Sequence, residues 1–318
     1  MSQDHPDPPV DDRDGRRQDW RIDGPRVLDV GGEGQRVAAL RVTMVGGRVD
    51  VVTHDDSPTA RVEVTSVTGL PVHVQWDGST LSVSHGKDAD QKVLEMIRRT
   101  VEGLSRNSAV LSISVPSATD TSVSTVGAAA LLSGLRARVR VNTVSGEMTL
   151  NDLRGDLDVN TVSGEVEVAD VTGPLKVNAV SGGVTVQRGD LPTARVNTVS
   201  GDITLDLTTG CCDLRSNSIS GDVTVRAPLG GYDVEGNTAW GQVVVDGTTL
   251  TSARDHVGGR GGRLHNGDGA LKIRASAASG SLVVLRAAPQ DAASSSPKDA
   301  PAPTPHPQDH PRGWGGQA

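Results

Sequence analysis

The sequence predicts an all-β chain wound as a β-solenoid, with two parallel sheets face to face and about eighteen to twenty residues per coil. Three observations predict it. The phrase Asn-Thr-Val-Ser-Gly occupies residues 142–146 and returns, with small changes, at 160–164, 178–182, 197–201, 217–221 and, degraded, 237–241. A looser copy sits between, so that Gly146, Gly155, Gly164, Gly173 and Gly182 lie nine residues apart. The chain of 318 residues has no Phe, one Tyr and four Trp, so a thin core of Val, Ile, Leu and Gly is the one it can build.

The nine-residue unit reads apolar-x-Gly-x-apolar-x-apolar-x-x. Val144 to Asp152 is one copy, Leu153 to Thr161 the next and Val162 to Asp170 the third. Alternation within a unit is that of a half-buried strand. Between units the parity slips, since Val141 to Val144 and Leu150 to Leu153 are odd steps, and a corner must absorb each slip. This places corners at Asn-Thr on one side and at Asn-Asp, Ala-Asp or Gln-Arg on the other. The glycines mark a close backbone approach or a kink. The asparagines, stacked about 4.8 Å apart, form an amide ladder of structural rather than ligand-binding character.

The rest of the chain follows in order. Residues 1–20, rich in Asp, Arg and Pro, are expected to be unstructured, as is the Pro/Ala/Ser tail at 288–318. Residues 21–126 are a degenerate start or cap of the same solenoid, with strands at 35–44, 47–54, 60–67, 72–76 and 79–85. Val45-Gly-Gly-Arg-Val49-Asp-Val51 already fits the unit. A helix is expected from about 88 to 104, where Val93, Ile97, Val101 and Leu104 share one face. It caps the stack or, as the alternative, lies on a membrane surface. Residues 127–287 carry the regular repeats and a C-terminal cap.

Composition removes several functions. A net charge of −8 and the lack of a basic stripe argue against nucleic-acid binding. The N-terminus shows no signal-peptide pattern, and the apolar stretch near 127–135 is too short to span a bilayer, so a cytoplasmic location and no integral membrane segment are expected. Cys211 and Cys212 are adjacent and read as a reduced pair on opposite faces. None of the eight histidines falls in the repeat, which therefore offers no nucleophile–His pair, and no calcium nonapeptide or phosphate loop is present. No enzymatic activity, cofactor or metal is expected.

The candidate interaction face is the set of outward columns. Ser145, Ser163, Ser181, Ser200 and Ser220 form one. Glu147, Glu165, Gly183, Asp202 and Asp222 form the next, and Thr149, Glu167, Thr185, Thr204 and Thr224 the third. A regular polar face suits a glycan or a protein surface, and a merely solvated face is the alternative. Trp240 replaces a column serine at the last coil. Either the strands near 271–273 and 282–284 fold over it or a partner does.

The tandem Asn-Thr-Val-Ser-Gly-[Glu/Asp] units, preceded by Val45 to Val51, resemble the bacterial putative-adhesin family of β-strand-repeat proteins, which carries a domain-of-unknown-function label. The resemblance covers roughly residues 28–287. It implies a β-solenoid, often encoded with envelope or membrane-stress components, and supplies no catalytic residues. The resulting expectation is a non-enzymatic scaffold or protein-interaction module linked to envelope stress, with a protein or glycan partner and peripheral association with a membrane protein. A cell-surface adhesin or glycan-binding β-helix is the alternative.

Overall fold

A computed structural model describes residues 17–32, 34–85, 107–250 and 260–287. Among them the chain is all β, in two 13-stranded sheets, with no helix. The helix expected near 88–104 and the tail at 288–318 lie outside the described residues. Part of the N-terminal segment expected to be unstructured is a strand, Gln18–Ile22, which pairs antiparallel with Val72–Trp76.

The regular stack follows the repeat. Val139–Thr143 and Met148–Arg154 make one coil, followed by Leu157–Thr161 with Val166–Thr172 and Leu175–Ala179 with Val184–Gly189. The next two coils are Thr193–Thr198 with Ile203–Leu207 and Cys212–Ser218 with Val223–Pro228. Parallel pairing aligns Val139, Leu157, Leu175, Ala194 and Leu214, steps of 18, 18, 19 and 20 residues. Val139 and Val141 from one sheet meet Met148 and Leu150 from the other in a fully buried core.

The second corner is where the sequence places it. Its second residue, Asp152, Asp170 or Arg188, adopts φ of 47°, 55° and 52°, and the left-handed residue lets the apolar set return inward after an odd step. The first corner is not at Asn-Thr. Asn142 stays in the strand facing out, Thr143 is buried, and the chain turns at Val144-Ser145-Gly146-Glu147. The odd step arises because Thr143, not Val144, takes the inward place. Thr143 can be buried because its Oγ1 accepts from Gly146 N at 3.0 Å and donates to Gly146 O at 3.3 Å. Thr198 makes the same pair of bonds with Gly201 at 2.9 and 2.8 Å.

The corner glycines answer to the stacking. A Cβ on Gly164 would fall on the carbonyl oxygen of Gly146, one on Gly182 on that of Gly164, and one on Gly201 on that of Gly182. At these three positions the backbones pass too closely for any side chain, so each permits only glycine.

The ends depart from chain order. At the C-terminal end the coil Leu271–Ala277 with Leu282–Ala287 lies between Cys212–Ser218 with Val223–Pro228 and Tyr232–Thr238 with Val243–Val245. The last coil in sequence is thus the next to last in space. Arg286 ties it down: its guanidinium donates to Asp246 Oδ2 at 2.5 Å and Gly230 O at 2.5 Å and lies 4.4 Å over the Tyr232 ring. At the other end Ala39–Met44 with Gly47–His54 lies between the later coils Thr80–His85 with Ser108–Pro116 and Asp120–Thr125 with Ala129–Ser133. Each end is closed by antiparallel strands. Gln18–Ile22 and Arg26–Val30 are outermost at one, Arg260–Asn266 and Thr248–Thr249 at the other.

Candidate interaction surface

The first corner assembles several columns that run along the stack. On the outer face of the first sheet, Asn160 Nδ2 donates to Asn142 Oδ1 at 3.0 Å, Asn178 to Asn160 at 2.7 Å, Asn197 to Asn178 at 3.0 Å and Asn217 to Asn197 at 3.0 Å. This is the expected ladder, on the strands rather than in the corner. It stops at Asn217 because the inserted coil brings Ser276 into register there.

Beside the ladder the buried threonines form the floor of a groove of about 620 Å³, walled by the asparagines on one side and by Val126, Val144, Val162, Val180 and Val199 on the other. The valines read as core in the sequence, yet Val162, Val180, Val199 and Ile219 are 46%, 46%, 42% and 56% exposed. The corner turns them outward once Thr143 and its equivalents take the inward position. Solvent therefore reaches an apolar line along the corner, most fully from Val162 to Ile219.

The serine column is committed to the fold. Ser145, Ser163, Ser181, Ser200 and Ser220 each donate Oγ–H to the carbonyl of the apolar residue one coil back, Val126, Val144, Val162, Val180 and Val199, at 2.9 to 3.2 Å. The acidic column is exposed. Glu147 precedes Met148, whose amide bonds Glu165 O at 2.9 Å, so the two acids lie one coil apart. Asp202 Oδ1 accepts from Asp222 N at 3.0 Å, and Asp222 Oδ1 from Ser281 N at 2.7 Å. Thr149, Thr204 and Thr224 line the outer face of the second sheet, past the corner. Among the described residues no group of three or more His, Cys, Asp or Glu could hold a metal ion.

A further column escaped the sequence reading. Register brings Lys176, Arg195, Arg215 and Arg274 side by side on successive strands, all exposed, on the flank of the asparagine ladder. The missing signal is the insertion, since Arg274 is 59 residues from Arg215 in sequence but its neighbour in space. Arg215 approaches Asp213 at 3.7 Å, whereas Lys176 and Arg195 form no ion pair among the described residues. Two cations elsewhere are firmly matched: Arg188 grips Asp170 at 2.7 and 2.6 Å, and Arg263 grips Asp233 at 2.8 and 2.6 Å. The guanidinium hydrogen bonds hold both carboxyls below the usual carboxylate range.

Trp240 is 81% exposed, at the C-terminal end of the serine column. The strands expected to fold over it, around 271–273 and 282–284, instead build the inserted coil beneath its neighbours, and Trp240 N bonds Ala278 O at 3.0 Å. Cys211 is exposed and Cys212 buried, neither in a disulfide, and burial pushes the Cys212 thiol up to about 12, which leaves it inert. No helix among the described residues is long and apolar enough to cross a membrane.

Among solved structures, the chain is similar to a putative lipid binding protein from Parabacteroides distasonis, at 15% identity and TM-score 0.44, over 84% of this chain and 99% of that one. It is also similar to a putative adhesin from Parabacteroides merdae, at 10% identity and TM-score 0.42, over 83% and 95%. A putative cell adhesion protein from Clostridium sporogenes matches at 10% identity and TM-score 0.26, over 83% and 100%. No curated protein matches the chain. Residues 49–284, from the second strand of the inserted N-terminal coil to the last strand of the inserted C-terminal one, match the family model Toastrack DUF4097, and the chain belongs to that family.

Proposed function

We propose that this chain is a non-enzymatic interaction module that binds another protein surface along its first corner. The observation that carries the reading is the line of valines and Ile219, 42% to 56% exposed, bordered by a groove and ending near the exposed Trp240. A line of this kind supplies the apolar centre of an interface, and the charged columns on its flanks supply the polar rim. An aromatic anchor at one end is the residue type that concentrates binding energy. The relatives' printed descriptions as adhesin and cell adhesion proteins are in keeping with a binding role. A glycan is the less supported ligand, because the asparagine amides that would meet its hydroxyls are engaged with one another.

The test is site-specific photo-crosslinking in native cells. A photoreactive residue at Val180 or Trp240 is expected to capture protein, and one at Thr185 on the second sheet is not. Equal capture at Thr185, or none at Val180 and Trp240, removes the corner as the contact.

A further inference from the structure

We infer that the partner of this corner is a second copy of the same chain, docked side by side with the two stacks parallel. The inference rests on the reading of the corner as a protein contact and identifies the protein. It follows from the order of the columns. Across one coil they run Arg195, Asn197, the groove over Thr198, the ridge at Val199, Ser200 and Asp202. The middle of this series falls between groove and ridge.

A two-fold axis parallel to the stack, passing through that middle, exchanges the two halves of the series. The ridge of each copy enters the groove of the other. Each asparagine column meets a serine column, and each cationic column meets an acidic one. At the same height Arg195 faces Asp202 of the second copy, Arg215 faces Asp222 and Arg140 faces Glu147. Four heights do not match: Lys176 faces Gly183, Asp158 faces Glu165, Arg274 faces Ser281 and Glu235 faces Gln242. Asp158 is already held by Arg140 of its own chain at 3.5 Å. An antiparallel arrangement does the opposite, setting cations over cations, which costs several kcal/mol at an interface. The surface is self-complementary in the parallel sense alone, as an isologous contact requires.

The charge pattern within one chain points the same way. Lys176, Arg195, Arg215 and Arg274 stand on adjacent strands in a chain of net charge −8; Asp158 and Glu235 follow in register at the two ends of the row, and no carboxylate lies within ion-pairing distance of Lys176 or Arg195 among the described residues. Like charges at about 4.8 Å repel by roughly 1 kcal/mol even in water. Glu147 and Glu165 repeat the problem on the opposite flank, and the proposed contact relieves it at Arg195, Arg215 and Glu147. The corner runs from Val126 to Ala239, about 34 Å at about 4.8 Å per strand, and its columns span about 20 Å. The area is roughly 700 Å² per partner, within the range of stable protein interfaces.

The experiment joins sedimentation of the full chain to charge exchange and cysteine linkage. The wild-type chain is expected to sediment as a dimer. Arg195→Glu weakens association by about tenfold or more, through two like-charge contacts per dimer. Adding Asp202→Arg to it restores association, because residues 195 and 202 of different copies face one another. In a Cys211→Ser background, Val126→Cys at a half-buried position and Val199→Cys at an exposed one each give a disulfide-linked dimer under mild oxidation. A wild-type chain that stays monomeric at millimolar concentration overturns the inference. So does failure of the exchanged pair to restore association in a variant of unchanged thermal melting. Linkage at neither cysteine, or at one alone, overturns the parallel arrangement. Where photo-crosslinking at Val180 captures a different protein and the chain is monomeric, this inference falls and the reading of the corner as a protein contact stands.

Discussion

The middle of the stack and its two ends are built from the same coil and obey different rules of order. Between Val139 and Leu207 each coil rests on the one before it in sequence, and every first corner but one repeats the same Thr-to-Gly hydroxyl bond type. At the C-terminal end the chain lays down a coil, leaves a slot, and fills that slot with a later coil, whereas at the N-terminal end the wedged coil comes first and two later coils are added on either side of it. Repetition suffices where neighbours are interchangeable. An end has only one neighbour, and here it is held by a wedged coil, an antiparallel strand on each sheet and, at the C-terminal end, the Arg286 clamp. Those antiparallel strands also blunt the edges that would otherwise recruit further strands.

The largest break in this comparison is truncation after Leu250. It removes Leu271–Ala277 and Leu282–Ala287, on which Tyr232–Thr238 and Val243–Val245 rest. Hydrogen exchange is expected to show loss of protection across 232–245 while 139–207 keep theirs. Retained protection at 232–245 would mean that this coil can dock directly on Cys212–Ser218.

Within the middle, Gly164→Val puts a branched side chain against the Gly146 carbonyl and the Thr143 side chain. The backbone must move, so the cost is at or above the usual overpacking range of about 1–3 kcal/mol. Gly210, with nothing within 4 Å of a Cβ, is the control, and Gly210→Ala is expected to change stability by less than about 0.5 kcal/mol. Chemical denaturation measures both.

Smaller still is the effect of one hydroxyl. Thr198→Val keeps the shape but leaves the buried Gly201 N–H without its partner, a loss of about 1–3 kcal/mol. Ala179 is the coil's exception, a buried alanine where its neighbours have threonine. Ala179→Thr is therefore expected to stabilise by about 0.5–1.5 kcal/mol, the net worth of one added bond. A melting temperature that falls would show that the groove floor has no room there.

The smallest effect belongs to the N-terminal end. His85 is buried with its Nε2 3.1 Å from Leu70 O, and burial holds its pKa below the ordinary 6.5. The unfolded chain then binds the proton more readily than the folded one. The stability linked to His85 is complete above pH 6.5 and is lost as pH falls from there towards its folded value. His85→Gln is expected to flatten this slope in melting curves between pH 7 and about 5.

The solenoid and its period were legible because strand alternation and a fixed glycine spacing leave few other folds. The amide ladder was legible because identical residues one coil apart must stack. The first corner was not, because hydropathy ranks Val144 as core and Thr143 as surface. The hydroxyl bond to Gly146 reverses that ranking, and no pattern of apolar residues contains it. The exposure of Trp240 was left open for a related reason. Its apolar neighbours at 271–273 and 282–284 lie next in sequence, but parallel pairing sends them under the coil rather than over the tryptophan. The cationic row and the wedged coils share one cause of invisibility: they depend on spatial order, and sequence distance runs against it.

The wedged C-terminal coil has a consequence for synthesis. A chain growing on the ribosome can stack its middle coils as they emerge, since each needs only its predecessor. Tyr232–Thr238 has no such predecessor to rest on until residues 271–287 have been made. The stack is sealed by nearly the last strands to appear, so a prematurely ended chain carries an open edge at Cys212–Ser218 and differs visibly, to any protease or chaperone, from a finished one.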